Sequence, residues 1–524
     1  MSEVAAAAAP APETVTVKID GKDVAVPKGT NVLEAVLAAR GEISYFCYHP
    51  GLSVVAVCRQ CLIEVKGQPK LVPACQMIVT PGMEISSSSP KVLEARRAML
   101  EFTLLSHPID CPICDKAGEC TLQKLYMEWD RKDARGADLV KIRKPKVVDV
   151  GPRIVLDAER CILCTRCIRV CDEVAGEHEL EMAWRGAHQT LSTAPGRKLE
   201  NPYSLNTVDV CPVGALTSKD FRFKRRVWEL SASPSICTGC ATGCSDEIHH
   251  ANGKVHRLVP RENQSVNKHW MCDDGRMTYR ELYEERVVEA RIARVEAKLA
   301  DAIAEAARLI EAARPAVGFV LSAQATNEDN WLAAKLALDV LGASHVYVAG
   351  RAPWRGDAIL RSADRNPNRR GVEMVTRGRV KPASAIDEDL RAERVKVLYV
   401  IDGGDDVVFG APLDALIVAT CRASQLASKA RVLLPAAAWA EVDGTMTNAK
   451  GMVQRLRSVV PPPGDARPHH ELLARIARGL GAAIEPRPAR AVFDEMRAAI
   501  PAIAPAAWGR DWPPTLLRFA ASRG

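Results

Sequence analysis

The chemistry available to this sequence is carried mainly by sulfur. The chain has 524 residues and 17 cysteines, and every cysteine except Cys421 lies between Cys47 and Cys272. The first group is Cys47, Cys58, Cys61 and Cys75, spaced x10, x2 and x13. The second is Cys111, Cys114 and Cys120, with His107 just ahead. The third is Cys161, Cys164, Cys167 and Cys171, spaced x2, x2 and x3, with Cys211-Pro212 further on. The fourth is Cys237, Cys240, Cys244 and Cys272, spaced x2, x3 and x27. Thiolate is a soft ligand, which points to zinc or to iron–sulfur clusters. Residues 1–12 are rich in Ala and Pro. They show neither the basic and apolar regions of a secretory signal nor the arginines of a transit peptide. They are expected to form a short disordered tail. In a reducing compartment, clustered cysteines read as metal ligands rather than disulfides.

Ligand counting separates the candidates. In the first group, a loop with three thiols plus one distant thiol suits a 2Fe–2S cluster, whereas a zinc ribbon needs two CxxC knuckles. The spacing is nearer to the 2Fe–2S ferredoxins of respiratory complexes than to the plant type. The second group is one ligand short of a 4Fe–4S cluster, and His107 is the nearest candidate. A neutral imidazole in place of a thiolate makes such a site less negative and raises its potential. The plain alternative is that His107 only caps the turn before Pro108. The third group reads as half of a two-cluster ferredoxin, in which the fourth cysteine serves the other cluster and precedes a proline. Here Asp172 follows Cys171, and the Cys-Pro pair is Cys211-Pro212. Counting back from Cys211 with the same spacing reaches Asn201, Ser204 and Thr207. The other cluster is therefore lost. Cys161, Cys164, Cys167 and Cys211 form one set, and Cys171 is left as a buried structural thiol between Val170 and Val174. The fourth group reads as a further 4Fe–4S site, with a zinc site as the alternative. Fifteen cysteines and one histidine thus make four complete sets, with Cys171 and Cys421 outside them.

These ligands need elements to hold them. Val15, Val17 and Ile19 alternate, Asp20-Gly21 offers a hairpin turn, and Val24 and Val26 resume the alternation. A helix over 31–40 and a strand over Leu62–Val65 complete a small β-grasp fold around the first group. Beyond the cysteines, the pattern predicts a helix from Arg286 to Ala313 ended by Pro315, and a strand over 316–321. A helix from Trp331 to Leu341 and strands over 346–348 and 397–401 follow. Such alternation argues for an α/β parallel sheet. Cys421, where a strand runs into a helix, reads as a packed and inert cysteine. Asp402-Gly403-Gly404 reads as a tight turn rather than a phosphate cradle. The length implies three or more domains. With 47% hydrophobic and 26% charged residues the chain is globular. No apolar run is long enough for a membrane-spanning helix. A net charge of +7 is mild, and the basic segments 141–146 and 219–226 lie beside the cysteines. They read as offsets to cluster charge or contacts for acidic partner chains rather than nucleic-acid sites, with a solvated surface as the plain alternative. No Gly-rich dinucleotide fingerprint is present, so NADH is not expected to bind here.

The order of the four sets is similar to that in the large iron–sulfur subunit of respiratory complex I, the NADH:quinone oxidoreductase. The run from His107 through Cys111-Pro112-Ile113-Cys114-Asp115 resembles that family's motif of one histidine and three cysteines. Cys161-Ile162-Leu163-Cys164-Thr165-Arg166-Cys167 and Asp209-Val210-Cys211-Pro212-Val213-Gly214 resemble its ferredoxin part. The stretches 432–445 and 448–454 resemble the molybdopterin oxidoreductases, but 252 residues after Cys272 are too few for the full pterin-binding scaffold. The resemblance implies one 2Fe–2S and three 4Fe–4S clusters, no molybdopterin, no flavin and no complete active site in this chain. It implies electron relay from a flavin-containing NADH-oxidising partner towards quinone, with other peripheral-arm and membrane-arm subunits as partners and ion translocation by the whole complex. The resemblance also implies that the fourth cluster lies off the main path and, since mitochondrial relatives lack it, that the source is bacterial. The location implied is the cytoplasmic face of the inner membrane, peripherally and without insertion. The implied layout is a tail over 1–12, a 2Fe–2S domain over 13–91 and a helical His/Cys3 segment over 92–131. A ferredoxin-like domain over 132–229, a 4Fe–4S domain over 230–286 and a cofactor-free molybdopterin-oxidoreductase-like domain over 287–524 follow. Iron-only hydrogenases and NAD-linked hydrogenases share the first part. The alternatives are a subunit of an NAD-linked formate dehydrogenase or hydrogenase and, in another class, a zinc-binding structural protein.

Overall fold

The computed structural model describes residues 13–130, 135–136, 138–402, 404–503 and 506–509. The expected tail over 1–12 and Gly403 lie outside them. The chain forms two compact units, one up to Trp228 and one from Glu229.

The first unit opens with β1 (Thr14–Ile19) and β2 (Lys22–Pro27), paired antiparallel. Asp20 and Gly21 between them have φ of 46° and 83°, as a tight hairpin turn requires. Val15, Val17 and Ile19 all face the core, as period-two alternation predicts. Helix α1 (Val32–Ala38) is capped by Asn31, whose side chain accepts from the Glu34 N–H at 2.9 Å. Then come β3 (Leu62–Val65), β4 (Val72–Pro73) and β5 (Glu84–Ser86). The sheet order is β2-β1-β5-β3-β4, with β5 parallel to β1, and α1 packs on it. This is the β-grasp arrangement. Helix α2 (Pro90–Leu104) starts with Pro at its first position and Ser89 as cap, and α3 (Thr121–Trp129) follows. The rest of the unit comprises β6 (Val148–Asp149), β7 (Ile154–Leu156), α4 (Arg166–Arg169), β8 (Leu180–Ala183), β9 (Thr190–Thr193), α5 (Asn206–Val210) and β10 (Leu216–Ser218). A small antiparallel sheet, β10-β7-β6, supports the ligand loops.

The second unit begins with an antiparallel sheet of β11 (Ser231–Ile236), β12 (Ser245–Ala251) and β13 (Lys254–Pro260), followed by α6 (Asp273–Met277). The helix expected from Arg286 is not there. Residues Ala290–Ile292 form β14 and Val295–Ala297 form β15, and α7 spans only Leu299–Ala313. The apolar spacing of Val288, Ile292 and Val295 fits a helix, but β14 pairs antiparallel with a strand of the main sheet at Arg291↔Leu433. Ala293 and Arg294 make the turn with φ of 49° and 69°, and Val295 is 68% exposed. Tertiary pairing at an open sheet edge outweighs the local periodicity.

The α/β part follows the expected alternation. It runs β16 (Val317–Ser322), α8 (Asn327–Ala334), β17 (His345–Ala349), α9 (Arg369–Val375), β18 (Lys381–Pro382), α10 (Ile386–Arg391), β19 (Val397–Ile401), β20 (Ala415–Thr420), α11 (Gln425–Lys429) and β21 (Val432–Pro435). Helix α8 begins at Asn327, earlier than its apolar pattern suggests, because Thr326 and Asp329 form a capping box. It continues as a π-helical segment, Lys335–Val340. The sheet order is β15-β14-β21-β20-β19-β16-β17-β18, and β21 through β18 are parallel. Strands β16, β19, β20 and β21 are buried throughout, as continuous apolar runs covered on both faces must be. The winding reverses between β16 and β19, which opens a crevice at the carboxyl ends of the strands. A hairpin of β22 (Gly444–Thr447) and β23 (Val453–Leu456) and helices α12 (His469–Gly479) and α13 (Ala489–Ala499) complete the unit.

Candidate metal centres

The first four cysteines converge in the β-grasp fold. Cys47, Cys58 and Cys61 lie on the long loop before β3, and Cys75 lies on a short 3₁₀ turn after β4. Ala56 and Arg59, with φ of 50° and 53°, fold this loop back on itself. Hydrogen bonds from Cys58 and Cys75 lower the Cys47 thiol and one from Cys75 lowers Cys61, while the same contacts raise the donors Cys58 and Cys75. Mutual sulfur contacts of this kind bring the four side chains together as one candidate donor set.

His107, Cys111, Cys114 and Cys120 line one cavity between α2 and α3. Burial lowers His107 to about 4, so its imidazole is neutral at pH 7, and its Nδ1 is buried without a hydrogen-bond partner. A neutral ring with an unsatisfied nitrogen suits ligation better than a capping role. Cys120 caps α3, its sulfur accepting from the Gln123 N–H at 3.4 Å, and burial pushes its thiol up to about 11. Gly214 closes the far wall. A Cβ at that position would stand 2.3 Å from the Cys114 sulfur. The basic segments anchor this loop. Lys141 donates to the carbonyls of Leu104 and His107 at 2.6 and 2.9 Å, and Arg226 to those of Cys114 and Pro112, both at 2.6 Å.

Cys161, Cys164, Cys167 and Cys211 line a second cavity with Met182, Leu191 and Val213 among its walls. Cys161 and Cys164 lie on the loop before α4, Cys167 lies in α4, and Cys211 ends α5. Leu163 and Thr165, with φ of 55° and 63°, give the ligand loop its tight winding. Burial raises Cys161 to about 12 and Cys164 to about 11. Thiols this buried ionise only against a strong cation. Cys171 is absent from the cavity wall. It is buried in the π-helical segment Val170–Ala175, and Asn201 Nδ2 donates to its sulfur at 4.0 Å. Asn201 also donates to Glu179 at 2.6 Å, and Ser204 and Thr207 are fully buried beside it in the chain. Where a second ferredoxin cluster would need thiols, the protein has packed polar side chains.

The two cavities share a wall. Val213 and Leu216 face one, and Gly214 faces the other. The Thr121 N–H, next to Cys120, donates to the Pro212 carbonyl, next to Cys211, at 3.0 Å. The Cys47 loop in turn touches α4. Arg169 donates to the Cys47 carbonyl at 2.6 Å and the Cys164 carbonyl at 3.5 Å. Arg166, Arg169 and Gly214 are functional candidates that ligand counting does not find. The available signals were Arg166 and Arg169 three apart on a ligand-bearing helix, and a glycine right after Cys-Pro-Val.

In the second unit, Cys237 follows β11, Cys244 precedes β12 and Cys272 caps α6. All four thiols of this set are buried, and burial raises Cys272 to about 12. Gly275 N–H donates to the Cys272 sulfur at 3.3 Å, and Gly239 N–H donates to the Cys237 sulfur at 3.3 Å. A Cβ on Gly275 would come within 3.0 Å of Cys237 Sγ and 3.3 Å of Cys272 Sγ. Among the described residues, no three His, Cys, Asp or Glu side chains close to single-ion spacing. Ligands of a multi-iron cluster stand further apart than that.

Cys421 is only partly packed. It follows β20 at the crevice of the parallel sheet and lines a cavity of about 290 Å3 together with Asp402, Arg422 and His469. Burial raises its thiol. As a packed cysteine where a strand ends, it stands against the core of the second unit on one side and faces the cavity on the other, because the strand ends one residue before it, at the open end of the sheet. Asp402 has a positive φ of 56°, as a turn after β19 requires, and pairs with His469 at 3.1 Å.

Five family models match in sequence. Residues 12–90 match a 2Fe-2S iron-sulfur cluster binding domain, and 96–135 match the NADH-ubiquinone oxidoreductase-G iron-sulfur binding region. Residues 151–217 match the ferredoxin-like domain of NADH-quinone oxidoreductase subunit 3. Residues 230–284 match the molybdopterin oxidoreductase Fe4S4 domain, and 359–478 match molybdopterin oxidoreductase. The G subunit of NADH-quinone oxidoreductase from Streptomyces coelicolor is 38% identical over 66% of this chain and 42% of its own length. The chain is similar to the NADH-quinone oxidoreductase G subunit over most of its length. The mitochondrial NADH dehydrogenase [ubiquinone] iron-sulfur protein 1 of Solanum tuberosum, a further relative, is 35% identical over 76% of this chain and 56% of its own length. The chain thus spans about half the length of these relatives. A chain of an NAD+-reducing [NiFe]-hydrogenase is 30% identical over 41% of this chain and 91% of its own, with a TM-score of 0.37.

Proposed function

We propose that this chain is an electron-transfer subunit of an NADH:quinone oxidoreductase. Cys47, Cys58, Cys61 and Cys75 would hold a 2Fe–2S cluster. Three 4Fe–4S clusters would be held by His107 with Cys111, Cys114 and Cys120, by Cys161, Cys164, Cys167 and Cys211, and by Cys237, Cys240, Cys244 and Cys272. When bound, such clusters supply one-electron redox chemistry. The chain's part is to space the sites, bury them and set their potentials. The observation that carries this reading is the adjacency of the three sets in the first unit. Arg169 joins the Cys47 loop to the Cys164 loop, and Thr121 joins the Cys120 loop to the Cys211 turn. The Cys161 set thereby stands between the other two, an order different from that along the chain. A flavin-containing NADH-oxidising subunit is the proposed donor partner, and quinone-reducing and membrane-arm subunits lie downstream. The proposed site of action is the cytoplasmic face of a bacterial inner membrane. No helix among the described residues is long and apolar enough to cross a membrane. The 287–524 region is read as a scaffold without molybdopterin. Iron and acid-labile sulfide analysis with EPR of the reduced protein tests the proposal. One 2Fe–2S and three 4Fe–4S signals are expected, and near-stoichiometric zinc without such signals would overturn it.

A further inference from the structure

Two buried arginines lie at the seam between the Cys47 set and the Cys161 set. Arg166 and Arg169 sit on α4, each about 6% exposed. Their hydrogen bonds run to main-chain carbonyls. Arg166 donates to Val210 at 3.2 Å and to Tyr48, and Arg169 donates to Cys47 at 2.6 Å, to Cys164 at 3.5 Å and to Ser53. The Nε of each is buried without a hydrogen-bond partner. Neither forms an ion pair with a carboxylate among the described residues; Glu173, four residues after Arg169, accepts from the Ser53 N–H at 2.8 Å instead. Arg166 also lies over the Tyr45 ring, 5.9 Å from its centroid. Two adjacent buried cations held by carbonyl dipoles and one ring face are costly unless an anion faces them. The groups in that position belong to the Cys47 and Cys164 loops, whose carbonyls Arg169 holds at 2.6 and 3.5 Å, so clusters bound on those loops would be the anions facing it. Arginine suits this task because it keeps its charge when buried and its planar fork reaches two loops at once.

We propose that Arg166 and Arg169 form a cationic bridge shared by the Cys47 set and the Cys161 set, raising the reduction potential of both clusters together. The proposal rests on the cluster reading above. An added electron makes each site more negative, and a fixed positive charge at the seam favours that state at both. The arginines are positioning and tuning residues, since they reach the sites through ligand-loop carbonyls.

The test is an EPR-monitored redox titration of the full cluster-loaded chain. In Arg169→Gln, the midpoint potentials of the 2Fe–2S cluster and of the Cys161-set cluster are expected to shift negative together. The His107-set potential should stay in place, and Arg169→Lys should recover most of the shift. Arg166→Gln is expected to give the same paired shift and serves if Arg169→Gln fails to load. If both glutamine variants lose their clusters, the lysine variants decide: near-native potentials support the bridge, and shifted ones overturn it. Unchanged potentials in a loaded glutamine variant, or a shift confined to one cluster, also overturn it. Absence of every iron–sulfur signal in the unmodified chain would instead overturn the cluster reading itself.

Discussion

A single side chain decides the character of the His107 site. Its imidazole is held neutral by burial, and one ring nitrogen faces no protein partner. Replacing it by a thiolate adds one negative charge to the site. His107→Cys is therefore expected to retain a cluster with a lowered midpoint potential, measured by redox titration with EPR. His107→Ala should abolish or alter that one signal. Gly214 makes a sharper prediction, because any Cβ there collides with the Cys114 sulfur. Gly214→Ala should lose the His107-set signal while the 2Fe–2S signal persists. Cys171 is the contrasting residue. It is buried yet turned away from the cavity of its neighbours and hydrogen-bonded to Asn201. Cys171→Ala should leave the iron content and all signals intact and cost only about 1 kcal/mol of stability. Loss of any cluster in that variant would refute its assignment as a structural thiol. The candidate ligands at this scale were readable from spacing and from the number of donors a cluster needs. The Arg166, Arg169 and Gly214 contributions were not, because they depend on which loops meet in space.

Elements show where local pattern stops being sufficient. Strands β1, β3 and β19 stand where alternation or continuous apolar runs place them, because burial on one or both faces writes itself directly into the sequence. The segment 286–298 does not. Its apolar spacing satisfies a helix, while the open edge beside β21 offers strand pairing that the periodicity cannot reveal. The turn there forces Ala293 and Arg294 into the left-handed region, where a side chain costs roughly 1 kcal/mol or more. Arg294→Gly should therefore stabilise the second unit by about 1 kcal/mol, seen as a higher unfolding midpoint by calorimetry. A helical segment at this position would predict the opposite sign, since glycine weakens a helix interior.

At the scale of the whole chain, two units have different dependencies. The first is built around ligand loops with a thin β-grasp core, whereas the second has a large doubly wound core of its own. Buried charge in that core has a pH signature. Glu328 is fully buried on α8, accepting from the Thr445 N–H at 2.7 Å, and burial raises it to about 7 from its ordinary 4.5. The folded protein thus holds a proton that the unfolded chain releases. Its contribution is complete below about 4.5 and is lost as pH rises towards 7. The loss is on the order of 3 kcal/mol. Glu328→Gln, which imitates the protonated form, should match the natural protein near pH 4.5 and melt at higher temperature at pH 8. Equal melting at both values would contradict this account.

The sequence by itself determined the grouping and spacing of the candidate donors, the β-grasp hairpin and the alternation of the second unit. Ligand chemistry demands fixed residue types in fours, and burial imposes a period along the chain. Only the tertiary structure decided that the Cys161 set lies between the two sets that precede it in the chain, that Gly214 walls the His107 site and that Cys421 borders an open crevice. It also decided that residues 290–292 and 295–297 are strands. Each of these depends on contacts between segments far apart in sequence, such as Cys47 with Arg169 and Arg291 with Leu433, and a contact of that range leaves no period for a sequence to display.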